Sequence, residues 1–127
     1  MIRIVFDTDA LIALERNNRA MWAVLKLAAV RSDEVIVPST VVAQVWRGSR
    51  RQASLARALG HCDVAAFVAM ARAVGELCCR TKTSDICDAH VALIATLRSG
   101  VLYTGDPIDL RRLITACPGP APVVVRC

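Results

Sequence analysis

The chain has 127 residues, enough for one hydrophobic core, with 55% of them hydrophobic and 21% charged. That balance excludes a disordered chain, and no apolar run reaches the roughly 18–20 residues of a membrane span. The formal net charge of +5 excludes little by itself, but it suits a polyanionic partner.

The start, "MIRIVFD", lacks the apolar centre and small-residue cleavage site of a signal peptide. A cytoplasmic protein is therefore expected, with its six cysteines reduced and mostly packed as small core residues. None of them forms a C-x-x-C, and His61-Cys62 has no second ligand pair at zinc-site spacing.

In chain order, Ile2 to Phe6 reads as a buried strand, being short, continuous and β-branched. A helix is expected from about Ala10 to Arg16, and another from Arg19 to Val30 with Trp22, Leu25 and Ala29 on one face. "VIVP" is a second strand ended by proline, and Ser39 is placed to cap the next helix, where Val41, Val42 and Val45 face inward. A helix over Gln52 to Leu59 leads to a brief strand near Asp63 and Val64. Ala66 to Cys79 reads as a helix with Phe67, Met70, Val74 and Leu77 inside.

"TSDICDAHVALIATLRSG" is a strong helix, opened by Ser, Thr and Asp and closed at Gly100. "VLYT" is a further strand, "DPIDLRRLI" a helix, and "PVVV" a last strand. The alternation predicts a single α/β domain over 1–127, a three-layer sandwich with a mostly parallel sheet of about 4–5 strands.

Acids fall where such a sheet binds ligands, at the carboxyl ends of its strands. Asp7 follows the first strand, Asp106 follows "VLYT", and Asp88 lies one turn inside its helix. Gathered carboxylates repel, so they ionise together only beside a cation. Mg²⁺ or Mn²⁺ is the natural one, preferring oxygen ligands and able to activate water against a phosphodiester.

Each acid except Asp7 also has a simpler duty. Asp106 before Pro107 reads as a helix cap, with Asp109 completing a capping box. Asp85 can cap the helix of Asp88, whose charge suits the first turn. Asp9 can cap the helix after the first strand, its slightly preferred reading. An acid that ends a buried strand has no such duty, so Asp7 asks for a functional explanation.

"IVFDTDALIAL", "VIVPSTVVAQVWRG", "TSDICDAHVALIA" and "VLYTGDPIDLRRLI", in this order and spacing, resemble the PIN-domain ribonucleases, and within them VapC-type toxins of toxin–antitoxin pairs. No one motif is specific, but together they cover nearly the whole chain. The resemblance implies a PIN-like fold and an RNA-cleaving site whose metal, Mg²⁺ or Mn²⁺, is held by Asp7, Asp88 and Asp106. It makes Thr104 a supporting or phosphate-contacting residue. It also implies a homodimer and an antitoxin partner that inserts a segment, often with an arginine, into the acidic site.

One position departs from the family. Gln44 stands where a glutamate is usual, and an amide brings no charge. Asp9, Asp85 and Asp109 are the nearest substitutes in sequence, with Glu76 a weaker one. The departure keeps a second function open, a PIN-like module that binds RNA or protein without turnover. "FDTDAL" and "GDPID" also resemble haloacid-dehalogenase-like phosphatases, with Asp7 as nucleophile. Against this stand Leu11 in place of Thr or Val, a late motif one residue short, no lysine close before it, and a short chain.

For an RNA substrate, Arg47, Arg50, Arg51 and Arg57 form an acid-free basic stretch, with Arg80, Lys82, Arg111 and Arg112 elsewhere. The same arginines equally fit a solvated helix face. Trp46 can stack on a base, though a Trp beside valines more often packs.

Overall fold

A computed structural model describes residues 1–98 and 100–127. The first strand, β1 (Arg3–Phe6), is followed by helices α1 (Thr8–Glu15) and α2 (Arg19–Arg31), then β2 (Glu34–Pro38) and α3 (Ser39–Val45). A 3₁₀ turn (Arg50–Gln52) leads into α4 (Ala53–Leu59) and β3 (Asp63–Ala65). A second 3₁₀ turn (Val68–Met70) precedes α5 (Ala71–Thr81), α6 (Ile86–Leu97), β4 (Val101–Thr104), α7 (Pro107–Thr115) and β5 (Val123–Arg126).

The sheet has five strands in the order β3-β2-β1-β4-β5, and every pairing is parallel, not merely most of them. Parallel neighbours need crossover helices, which cover both faces and bury the strands. Val5, Phe6, Ile36, Val37 and Leu102 are accordingly inaccessible. α1 packs with α2 and α4, whereas α6 packs with α5 and α7, and α3 touches both α1 and α6. The Phe6 ring meets Tyr103 of the neighbouring strand edge-to-face at 5.9 Å, which pins β1 to β4.

α6 is buried over eight successive residues, Ala89 to Thr96, so it has no solvent stripe at all. Three alanines in that run let neighbouring backbones come close. At the entry to β4 the same closeness recurs, because a Cβ on Gly100 would lie 2.7 Å from the Arg3 carbonyl oxygen.

Three expectations change. Ser39 does not cap α3, because its hydroxyl accepts the Phe67 amide at 3.0 Å and draws the chain after β3 inward. A 3₁₀ turn follows that tether, and the helix expected from Ala66 begins only at Ala71. On α2 the buried stripe is Met21, Leu25 and Ala28, while Ala29 is exposed. Trp22 is half-buried, its indole donating to the Leu14 carbonyl at 3.1 Å. No helix among the described residues is long and apolar enough to cross a membrane.

Candidate functional site

The strand order runs outward from β1 in both directions, so the switch point lies between β1 and β4. Loops leaving neighbouring strands there part to opposite sides and open a crevice. Asp7 leaves β1 at this point, and Thr104, Gly105 and Asp106 leave β4.

Asp7 corrects the expectation that it has no capping duty. Its Oδ1 accepts the Ala10 amide at 3.1 Å, making Asp7, not Asp9, the cap of α1. One carboxylate oxygen is thereby fixed, and the backbone turn from β1 into α1 is fixed with it. The residue is only 3% exposed. Burial pushes its acidity up to about 6, helped by the charge of Asp9; hydrogen bonds to Thr104 and to the Ala10 and Asp9 amides pull the other way.

Asp88 sits half-buried in the first turn of α6. Asp85 caps that helix, its Oδ1 accepting the Asp88 amide at 3.0 Å. Burial, the charge of Asp85 and its hydrogen bond, then the charges of Asp7 and Asp106, raise Asp88 to about 7. Asp88 thus lies within the electrostatic reach of Asp85 on its own helix, of Asp7 after β1 and of Asp106 after β4.

Asp106 caps α7 through a 3.3 Å bond from the Asp109 amide, and Pro107 takes the first helical position as expected. The return arm of the expected capping box is replaced, because the Asp106 amide donates to Thr104 Oγ1 at 2.9 Å. Thr104 is fully buried and thus joins Asp106 to Asp7. Asp109 is exposed on the first turn of α7. Asp9 leans on Gly105, where a Cβ would come within 2.5 Å of its carboxylate. Gln44 reaches the rim, its Oε1 accepting the Thr8 hydroxyl at 2.7 Å.

Among the described residues the only ion pairs are those of Glu34 with Arg3 and Arg98, so no cation balances the crevice. Its donors are all hard oxygens, and two carboxyls are held above their ordinary range, a set whose chemistry fits Mg²⁺ or Mn²⁺. Among the described residues no three acidic, histidine or cysteine side chains stand close enough together to hold an ion.

The basic residues do not gather at the crevice. Arg47 donates to the Trp46 and Ala43 carbonyls, and Arg112 to the Thr81 carbonyl at 2.9 Å. Lys82 is the left-handed cap of α5, and Arg57 lies over Trp22 at 4.9 Å. Arg50, Arg51 and Arg111 are exposed. Sequence reasoning passed over Gln52, which is buried and clamps the loop after α3. It accepts the Arg47 and Gly48 amides and donates to the Val45 carbonyl. It also passed over His90, fully buried in α6, whose Nδ1 pairs with the Thr40 hydroxyl at 2.8 Å. An inward histidine two residues after an acid was the available signal.

No family model matches the chain, and no curated protein does. Among solved structures it is similar to a chain of VapBC2 from Rickettsia felis, in a crystal structure bound to a DNA fragment from the promoter. The likeness covers 99% of this chain and 99% of that one, with a TM-score of 0.74 at 16% identity. At that identity the shared property is the fold, and the PIN-like α/β architecture expected from the sequence is the one observed.

Proposed function

We propose that the protein is a metal-dependent endoribonuclease, the toxin of a toxin–antitoxin pair. The observation that carries this reading is the crevice at the β1/β4 switch point, where Asp88 feels Asp7, Asp85 and Asp106 and no cation answers them. Asp7, Asp88 and Asp106 would hold Mg²⁺ or Mn²⁺. The ion, when bound, supplies an activated water and neutralises charge on the scissile phosphate.

The chain's own residues supply the positioning. The cap bond from Ala10 leaves Asp7 one free carboxylate oxygen, and the Thr104 hydroxyl holds its orientation. Asp85 fixes the first turn of α6 and so the place of Asp88. Burial of Asp7 and Thr104 keeps that side of the crevice dry, which strengthens charge interactions there. Exposed arginines at 50, 51 and 111 are free to meet the phosphate backbone beyond it.

A second reading, an RNA- or protein-binding module without turnover, draws on Gln44. Its neutral amide is engaged by Thr8, so this position adds no charge to the crevice. A homodimer and an antitoxin belong to the toxin reading, and the apolar exposure of Leu27, Val30 and Trp46 on and beside α2 and α3 offers them surface.

The deciding experiment incubates an RNA pool with the protein and Mg²⁺ or Mn²⁺, beside a chelator control and Asp7→Asn. Metal-dependent cuts lost in Asp7→Asn are expected. RNA left intact by the wild type but bound by both forms would sink the enzymatic reading. Induced expression should arrest growth, and co-expression of the protein encoded next door should relieve it.

A further inference from the structure

One face of α1 has a use that the carboxylate crevice does not explain. Asp9, Ile12, Ala13 and Arg16 follow the helical spacing i, i+3, i+4, i+7 and form a single stripe. That stripe, with Asn18 and Cys127, lines an open cavity of about 350 Å³. The cavity borders the crevice, since Asp9 packs on Gly105 between Thr104 and Asp106. The Cys127 thiol, pushed up by burial, also feels the charges of both Asp7 and Asp9.

The cavity is polarised. At one end Asp9 is an acceptor only; at the other, two turns and about 10 Å along the helix, Arg16 is a donor only. Asn18 adds to the donor end, because its Oδ1 caps α2 by accepting the Met21 amide at 3.0 Å and leaves its NH₂ free. Neither Asp9 nor Arg16 has an ion-pair partner among the described residues. Ile12 and Ala13, both half-buried, give a flat apolar floor between the two ends.

We infer that this cavity seats a guanine base of the RNA, in a nucleotide next to the bond that is cut. The inference rests on the ribonuclease reading and adds a substrate preference to it. Guanine carries adjacent N1–H and N2–H donors that match the two oxygens of Asp9. Its O6 and N7 edge is acceptor-only and matches a guanidinium, the commonest specific partner of that edge. Uracil would set a carbonyl oxygen against Asp9 on each side of its single N–H. Adenine and cytosine offer one amino group beside a ring acceptor. Reading unstacked bases by their edges is the usual way single-stranded RNA is recognised.

The test uses short single-stranded RNAs that differ only in one central base. Binding is followed by fluorescence anisotropy without added metal, and cleavage positions are then mapped with Mg²⁺. Guanine-containing RNA should bind tighter than the other three by on the order of ten-fold or more. Arg16→Ala should weaken that preference to the share read by Asp9, while Arg16→Gln should narrow the gap between guanine and adenine, whose N6/N7 edge suits an amide. Thermal melting of both exposed-site variants checks that they remain folded.

Equal affinity for all four RNAs, strong or undetectable, overturns the inference, as does a preference untouched in both variants or a preference for another base. Selective guanine binding without any cleavage sinks the ribonuclease reading and leaves the cavity assignment standing. Cleavage whose base preference ignores Arg16 does the reverse.

Discussion

The two ends of the sheet carry carboxylates in opposite condition. At the amino end Glu34 lies between Arg3 at 3.5 Å and Arg98 at 3.6 Å, in partial contact with solvent. At the carboxyl end Asp7, Asp85, Asp88 and Asp106 share a crevice with no cation, and two of them resist ionising. Helix capping accounts for Asp7, Asp85 and Asp106 one by one, but it does not account for setting the half-buried charge of Asp88 among them, which costs free energy. Neutralised acids therefore mark one edge of this sheet as structural, and unanswered acids mark the other as the edge where the proposed chemistry would take place.

The contrast breaks most sharply at the crevice. Asp7→Asn and Asp88→Asn should each lower metal-dependent RNA cleavage by at least about 100-fold, since even residues that only orient metal ligands matter by 10–100-fold. The same Asp88→Asn change should raise the melting temperature of metal-free protein at pH 8, because it removes a half-buried charge beside three others. Opposite signs for activity and stability are the expected signature. A stability loss in metal-free Asp88→Asn would show that the carboxylate supports the fold instead.

The amino end breaks differently. In Gly100→Ala the new Cβ would press on the Arg3 carbonyl at 2.7 Å, where β1 and β4 begin to pair. A backbone contact cannot swing away, so a loss of about 1–3 kcal/mol is expected. Denaturant unfolding measures it, while cleavage per folded molecule should stay as in the wild type.

Acidity sharpens the comparison further. Asp7 and Asp88 ionise near 6 and 7 when folded and have an ordinary value of 3.8, so in that window the folded state holds more protons than the unfolded one. Their contribution is complete below about pH 4 and is lost as pH rises through 6 to 7. His90, lowered by burial, acts in the other direction and costs stability as pH falls below its ordinary 6.5. Melting curves from pH 5 to 8 should therefore fall more steeply toward pH 8 in wild type than in Asp88→Asn. Adding Mg²⁺ at pH 8 should restore part of the difference by mass action.

Much of this was legible in the residues. Period and punctuation placed five strands near their true positions, because β-branched runs and proline or glycine stops are local signals. The places of Asp7 and Asp106 just beyond β1 and β4, and of Asp88 in the first turn of α6, were legible in the same way. What stayed hidden depended on partners far along the chain. Ser39 looked like a cap until the Phe67 amide claimed it, 28 residues away. Asp7 and Asp9 are both spaced to cap α1, and only the turn out of β1 decides for Asp7. The close contact of Gly105 with Asp9 is likewise tertiary, so nothing in "DTD" or "TGD" announces it.

The smallest expected effect belongs to Glu34→Gln. It removes both ion pairs of the amino end at once, yet Arg3 and Arg98 are each at least two-fifths exposed and Glu34 about one-quarter. Pairs so open to water are worth roughly 0.2–1 kcal/mol each and weaken in salt. Glu34 also has to be shared, so the two cannot both reach the upper figure. A loss of a few tenths of a kcal/mol is expected, shrinking further in high salt, with cleavage unchanged. If instead Glu34→Gln altered cleavage as strongly as Asp7→Asn, the division between a structural and a chemical edge would be wrong. Charge balance across the whole sheet, rather than the crevice alone, would then govern the site.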